Sequence, residues 1–233
     1  MKLKLFGAVF AATLSLAAAA TATTITVAGT SHLWLAGMPN GTTGVGGDSA
    51  PAHAPVEVTG LTFAAGDVLT FSATGMVRHG PAQTFVGPDG NENSVFSYFG
   101  GNANGMSSLT GPINALLGVF LSDVQPDTNP APTALDFTSQ SAREELIYMP
   151  ELQQTFFIGD GEIPAGTQQQ FVVPVGATRL FLGTHDGFGW FNNQGSFEVT
   201  IKGGSTAPVV PLPAGGVLLL SALGALIVRR RLS

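Results

Sequence analysis

The sequence predicts an all-β protein, a single antiparallel β-sandwich or jelly roll with a short segment of different character at each end. Charged residues make up only 10% of the chain while glycine alone numbers 31. Helical surfaces are usually rich in Lys, Glu and Arg, so this balance favours strands joined by turns. Several segments alternate apolar and polar residues, the period of a half-buried strand. Gly, Pro, Asn or Asp stands at nearly every junction between them.

Taken in order, residues 1–22 have the make-up of a secretory signal peptide. Lys2 and Lys4 precede an apolar run from Leu5 to Ala20, and both Ala18-Ala19-Ala20 and Ala20-Thr21-Ala22 fit the small-residue cleavage pattern. The run is short for a membrane span. Residues 23–203 form the expected β domain. Its glycine-rich stretch 37–50 reads as a loop. Strands are expected at Val56–Thr59 continuing to Leu61–Phe63, at Val68–Ala73, Leu116–Leu121, Gln154–Ile158, Gln170–Val173, Arg179–Gly183 and Ser196–Lys202. Residues 122–153 read as an excursion between strands. Within it, Ser141-Ala142-Arg143-Glu144 has capping-box spacing, which predicts one short helix ended by Pro150. A linker at 204–209 leads to a tail at 210–233, whose apolar run 215–228 predicts a short transmembrane helix.

Charge and composition narrow the chemistry. Between the two ends stand four bases (Arg78, Arg143, Arg179, Lys202) against 15 acids, a net −11. So acidic a surface repels phosphate backbones, which excludes nucleic acid as an expected partner. With no cysteine in the chain, the domain relies on its apolar core, and lipoprotein anchors, thiolate metal sites and cysteine nucleophiles are ruled out. The motifs of zinc proteases, serine hydrolases and P-loop proteins are missing. The four histidines (His32, His53, His79, His185) show no ligand spacing, and no carboxylate pair is singled out. The chain is not expected to be an enzyme.

At the tail, Val210-Pro211-Leu212-Pro213-Ala214 precedes the apolar run and then Arg229-Arg230-Arg231. This order resembles the VPLPA variant of the PEP-CTERM sorting signal of Gram-negative bacteria. The arginines resist translocation, so the apolar stretch would halt in the bilayer with the domain facing away from the cytoplasm. The resemblance implies an exosortase-type processing enzyme as partner and a place in the cell envelope, at the cell surface or in the extracellular matrix. A plain C-terminal anchor is the alternative.

The stretch from Thr184 to Ile201 is the most informative. A strand enters a loop bearing Asp186, Asn192 and Asn193, and a strand leaves it. Ca²⁺ takes 6–8 hard oxygen ligands from carboxylates, amides and main-chain carbonyls, so these residues suit it. A solvated turn would use the same residue types. Phe188 and Trp190 have two readings: stacking on a sugar face, or closing the core at the strand end. Asp89-Gly90-Asn91-Glu92-Asn93 opens like an EF-hand loop, but Ser94 and Gly100 occupy positions that need Gly and Glu, so a polar turn is expected there.

This loop, with the following Asn-Asn-x-Gly-Ser-Phe, resembles the C-terminal end of the Ca²⁺-dependent galactophilic lectin family typified by PA-IL, a small galactose-binding β-sandwich. Upstream, Gly66–Phe71, Gly75–Pro81, Gly87–Gly90 and Ala115–Val119 resemble that family's earlier strands and loops in order. The resemblance covers Pro55 to Lys202, with 122–153 unmatched. It implies a Ca²⁺ held by the main-chain carbonyl of His79, the carboxylate of Asp186, the carbonyl of Gly189, and the amides of Asn192 and Asn193. It further implies sugar contacts from Asp186, Asn192 and Trp190. The loop is one residue shorter than the family's, and the His and Gln that help hold the sugar have no counterpart within 91–111. The expectation is therefore a carbohydrate-binding module with a glycan or exopolysaccharide partner. The alternatives are a structural or adhesive envelope protein without a sugar ligand, and a glycan-active enzyme.

Overall fold

A computed structural model describes residues 21–204. The apolar run of the signal segment, the linker from residue 205, the Val210–Ala214 motif and the apolar run 215–228 lie outside the described residues. Among the described residues no helix is long and apolar enough to cross a membrane.

Among the described residues the fold is all-β, with twelve strands and one four-residue α-helix. The longest pair sets the frame. Strands β3 (Val68–Arg78) and β12 (Gln194–Gly204) run antiparallel over their full length, from Arg78 opposite Gln194 to Val68 opposite Gly204. In β3, Leu69, Phe71, Ala73 and Val77 point inward, and in β12 so do Phe197, Val199 and Ile201. This is the alternation of a sheet with one wet face. β1 (Thr21–Ala28) pairs along the outer side of β12, with Thr21 opposite Gly203. Thr21 and Ala22, the last residues of the expected signal segment, open this strand, and either cleavage position leaves Thr23–Ala28 within it.

A second sheet is buried more completely. β6 (Leu116–Leu121) has no exposed residue, and β11 (Arg179–Thr184) pairs with it antiparallel along its whole length. β2 (Val56–Glu57) and β9 (Thr155–Phe157) flank this pair. Continuous apolar runs of this kind mark strands covered on both faces. Phe71, Phe156 and Phe171 meet between the sheets, with centroids 4.9 Å apart for Phe71 and Phe171 and 5.6 Å for Phe156 and Phe171.

A third sheet joins β4 (Asn91–Ser97), β5 (Leu109–Ile113) and β7 (Leu135–Asp136). Two pairings depart from the antiparallel expectation. β7 adds parallel to β5, and β8 (Ile147–Tyr148) adds parallel to β10 (Gln170–Val172), which itself pairs with β3.

The stretch 122–153 is thus no detached excursion, since it supplies edge strands to two sheets. Within it the buried Arg143 guanidinium donates to the carbonyls of Phe137 and Thr138, 2.8 Å each, and the Gln169 side chain ties it to the body by donating to the Arg143 and Glu145 carbonyls at 2.8 and 2.9 Å. The helix within it also differs from expectation. α1 spans Gln140–Arg143, and its cap is Ser139, whose Oγ accepts the Ala142 N–H at 3.2 Å. Ser141 lies inside the helix, so its capping-box spacing with Glu144 is unused. Leu61–Phe63 forms no strand. Leu61 and Phe63 instead pack from a loop against the core.

Candidate functional site

The site lies where the long ladder ends and the chain crosses between sheets. Because Arg78 faces Gln194, the residues that follow the one strand and precede the other, His79 and Asn193, emerge side by side. β11 brings Asp186 to the same end from the second sheet. His185 continues that ladder, its N–H donating to Ala115 O at 2.8 Å while its carbonyl accepts from Asn114 N at 2.7 Å. Strands from both sheets therefore fix the stems of the loop 185–193.

Of the expected ligands, His79, Asp186 and Asn192 line one pocket of about 250 Å³, together with Phe96, Phe99, Ile113, Gly187 and Phe188. Asn193 lies beneath it, 6% exposed, and donates to Gly29 O at 3.1 Å. Its Oδ1 is buried without a hydrogen-bond partner. Asp186 is equally buried, and its Oδ1 accepts the Phe188 N–H at 3.3 Å. Burial pushes the Asp186 carboxyl above the usual carboxylate range, against the lowering influence of the Phe188 N–H, the Asn193 side chain and His79. The turn after His79 lies against Asn192 and passes through glycine at residue 80. Its φ of +91° suits glycine, and a Cβ there would stand 3.4 Å from Asn192 Oδ1.

Gly189 and Trp190 are placed differently. Gly189, in the left-handed region at φ 83°, starts a 3₁₀ turn over Trp190–Asn192, and its carbonyl faces the Asn192 N–H at 3.5 Å. It is not among the residues lining the pocket. Trp190 is fully buried and stacks on the His32 ring, centroids 3.8 Å apart and planes within 6°. Its indole N–H donates to Thr184 O at 2.9 Å. The expectation that Trp190 touches sugar is corrected on this point, because no face of it reaches solvent. The aromatics on either side of it in the loop, Phe188 and Phe191, are the exposed ones.

Asp48, which sequence reasoning did not single out, organises this loop from inside. Fully buried, it accepts the Trp190 N–H at 2.9 Å and the Phe191 N–H at 2.8 Å, satisfying the free donors of the 3₁₀ turn. Burial alone would raise its pKa, but contacts with His32 and the two N–H groups outweigh it and hold the carboxyl below the usual range. His32 Nδ1 stands 3.4 Å from Asp48 Oδ2 without hydrogen-bond alignment, and burial keeps the ring's pKa low. The packing here is tight, since a Cβ on Gly44 would fall 2.6 Å from His32 Nδ1. The only sequence hint was the glycine run around Asp48. The Gly29 carbonyl ties both loop stems, taking bonds from Thr184 Oγ1 at 2.8 Å and from Asn193.

Among the described residues no three His, Cys, Asp or Glu side chains gather as a metal-binding group. The donor set at 186–193 is of another kind, with the Asp186 carboxylate and the amides of Asn192 and Asn193. Hard oxygens of this type suit Ca²⁺, and the partnerless Asn193 Oδ1 beside the buried Asp186 fits the same ion. The polar turn expected at 89–93 is shorter than that, because strand β4 already begins at Asn91. Asn91 Oδ1 accepts the Asn93 N–H at 3.1 Å, while Asp89 accepts that of Asp160 at 3.0 Å in a separate acidic cleft.

No family model matches the chain, and no curated protein or solved structure gives a significant match. The likeness to the lectin family rests on the residues named above.

Proposed function

We propose that this chain is an exported, cell-surface or exopolysaccharide-associated β-sandwich that binds carbohydrate through a Ca²⁺ ion held by Asp186, Asn192, Asn193 and the His79 carbonyl. One observation carries the reading. Elements from two sheets bring His79, Asp186 and Asn192 to a single pocket, and the buried Asn193 side chain, its Oδ1 unsatisfied, stands against Asp186. Four protein oxygens leave two or more of the roughly 6–8 places around Ca²⁺ for vicinal hydroxyls of a sugar, so ion and glycan would bind cooperatively. Asp186, Asn192 and His79 would hold and orient the ion, and the ion would supply the charge that attracts the hydroxyls.

A structural protein in which the ion merely pins the loop is the second reading. Against it, Asp48, Trp190 and Gly29 already hold the loop without any ion. The tail motif Val210–Ala214 and the arginines after it support display at the envelope of a Gram-negative bacterium, with an exosortase-type enzyme and the membrane as partners. The test is a glycan-array screen in calcium and in excess chelator. Binding that is lost on chelation supports the reading, and binding that survives it sinks the metal-bridged grip.

A further inference from the structure

All three sheets run out at one place. β7, β8 and β9 are each the last strand of their sheet, and among the described residues no strand pairs with their outer edges. Together they frame a groove of about 280 Å³. Its floor is aromatic: Phe137, Tyr148 and Phe156 are buried there, the first two with ring centroids 6.0 Å apart. Leu135, Ile147 and Met149 also line it, Ile147 being 56% exposed and Met149 76%. Open sheet edges beside exposed apolar side chains invite pairing with another segment, and proteins usually cover them.

The chain itself carries a segment fitted to this edge. Gly203 in β12, Leu69 in β3, Phe171 in β10 and Tyr148 in β8 are successive partners across one sheet. The described chain leaves at Gly204, beside the first of them. The outer edge of β8 therefore stands four strand spacings away, about 19 Å. Six residue steps from Gly204 to Val210 reach up to roughly 20 Å, so an extended linker delivers Val210 to the groove.

The motif that follows is Val210-Pro211-Leu212-Pro213-Ala214. Its prolines stand two apart. In an extended chain their missing N–H groups fall on one edge, leaving those of Val210, Leu212 and Ala214 for the other. Such a segment pairs on one side only, and it ends a sheet instead of extending it. Val210 and Leu212 then point to one face, where their uncharged side chains meet the apolar groove.

We propose that the groove framed by β7, β8 and β9 receives Val210–Ala214 of the same chain as an added edge strand beside β8. Held there, the motif is withheld from a processing enzyme until the strand peels away. Neither the calcium site nor the carbohydrate reading enters into this contact.

The chain has no cysteine, so introduced pairs report the contact in the full-length protein held in mild detergent. A disulfide needs Cα atoms within about 7 Å, so Met149→Cys with Val210→Cys should close within the chain about tenfold faster than Val124→Cys with Val210→Cys. Val124 is the reference because it is 51% exposed and lies at the same end of the molecule, its carbonyl accepting from Arg179 Nη2 at 3.1 Å. Adding Leu212→Glu should slow the first pair about fivefold, since a charge must leave the groove, while Leu212→Met should not. Equal rates for the two pairs, or a first pair indifferent to Leu212→Glu, overturns the proposal. Disulfides that join two chains instead of closing one assign the groove to a second copy and overturn it too. So does a Met149→Cys thiol shielded from a water-soluble maleimide only when phosphatidylethanolamine vesicles are added, which makes the groove a lipid-facing surface.

Discussion

On its inner side the loop 185–193 presents His185, Trp190 and Asn193, and on its outer side Phe188, Phe191 and Asn192. The inner groups are buried and, apart from single atoms, tied down. Trp190 is stacked and hydrogen-bonded, and the main chain at 190–191 is capped by Asp48. The outer groups are open to solvent, and among the described residues no protein group donates to or accepts from the Asn192 side chain. Asp186 stands at the boundary, buried yet lining the pocket. Stability is concentrated on one side and the capacity to bind on the other. Changes on the two sides should therefore fail differently.

The largest effect is expected from Trp190→Ala. It removes a fully buried ring from the junction of loop and core and should cost about 4 kcal/mol in urea unfolding. A loss under 1 kcal/mol would mean that the inner side does not anchor the loop.

Acid should also act on the inner side. Burial draws the His185 pKa down to about 4, only partly offset by the Pro112 carbonyl that its ring faces at 3.0 Å. The unfolded chain protonates this histidine near pH 6.5 while the folded chain resists until near 4, so stability is full above about 6.5 and declines as pH falls through that window. The loss should approach roughly 3 kcal/mol, with His32, also drawn down by burial, adding to it. His185→Gln should flatten the profile between those limits.

On the boundary, Asp186→Asn should leave calcium-free stability unchanged or slightly higher, because a buried carboxylate without a full partner is removed. It should abolish calcium-dependent stabilisation, which for a site filled at 100 times its dissociation constant is about 2.7 kcal/mol. A calcium shift that survives in Asp186→Asn places the ion elsewhere. The smallest expected change is Asn192→Ala, within about 0.5 kcal/mol on calcium-free unfolding. Calcium affinity should nonetheless fall roughly tenfold, a loss of about 1.4 kcal/mol in binding.

The strands legible in the sequence were those whose side chains alternate or run apolar without interruption. β6 occupies the expected Leu116–Leu121, and β11 and β12 exceed their expected ranges by only one or two residues at an end. Strands that carry turn residues were not legible. β5 contains Gly111 and Pro112, and β4 begins Asn91-Glu92-Asn93-Ser94. These residues weaken any local strand signal, and pairing with neighbours distant in sequence overrides it. β1 is not among the expected strands although Thr24-Ile25-Thr26-Val27 alternates polar and apolar residues; the expected signal segment covers only its first two residues. Asp186, Asn192 and Asn193 can be grouped from the sequence because they share one short loop. Asp48 lies more than a hundred residues away in sequence, and its role comes entirely from tertiary contacts. The fate of Trp190 was equally invisible, since nothing local distinguishes a ring that caps the core from one that greets solvent.

The β3–β12 ladder has a last consequence. β12 runs eleven residues from Gln194 at the pocket to Gly204, roughly 33 Å at about 3.3 Å per residue. β1 starts opposite Gly203, so the first and last described residues depart together from the far pole. Any surface to which either end is fastened would thus sit beneath the molecule, and the aromatic-rimmed mouth would point outward like the head of a moored buoy, facing whatever drifts past.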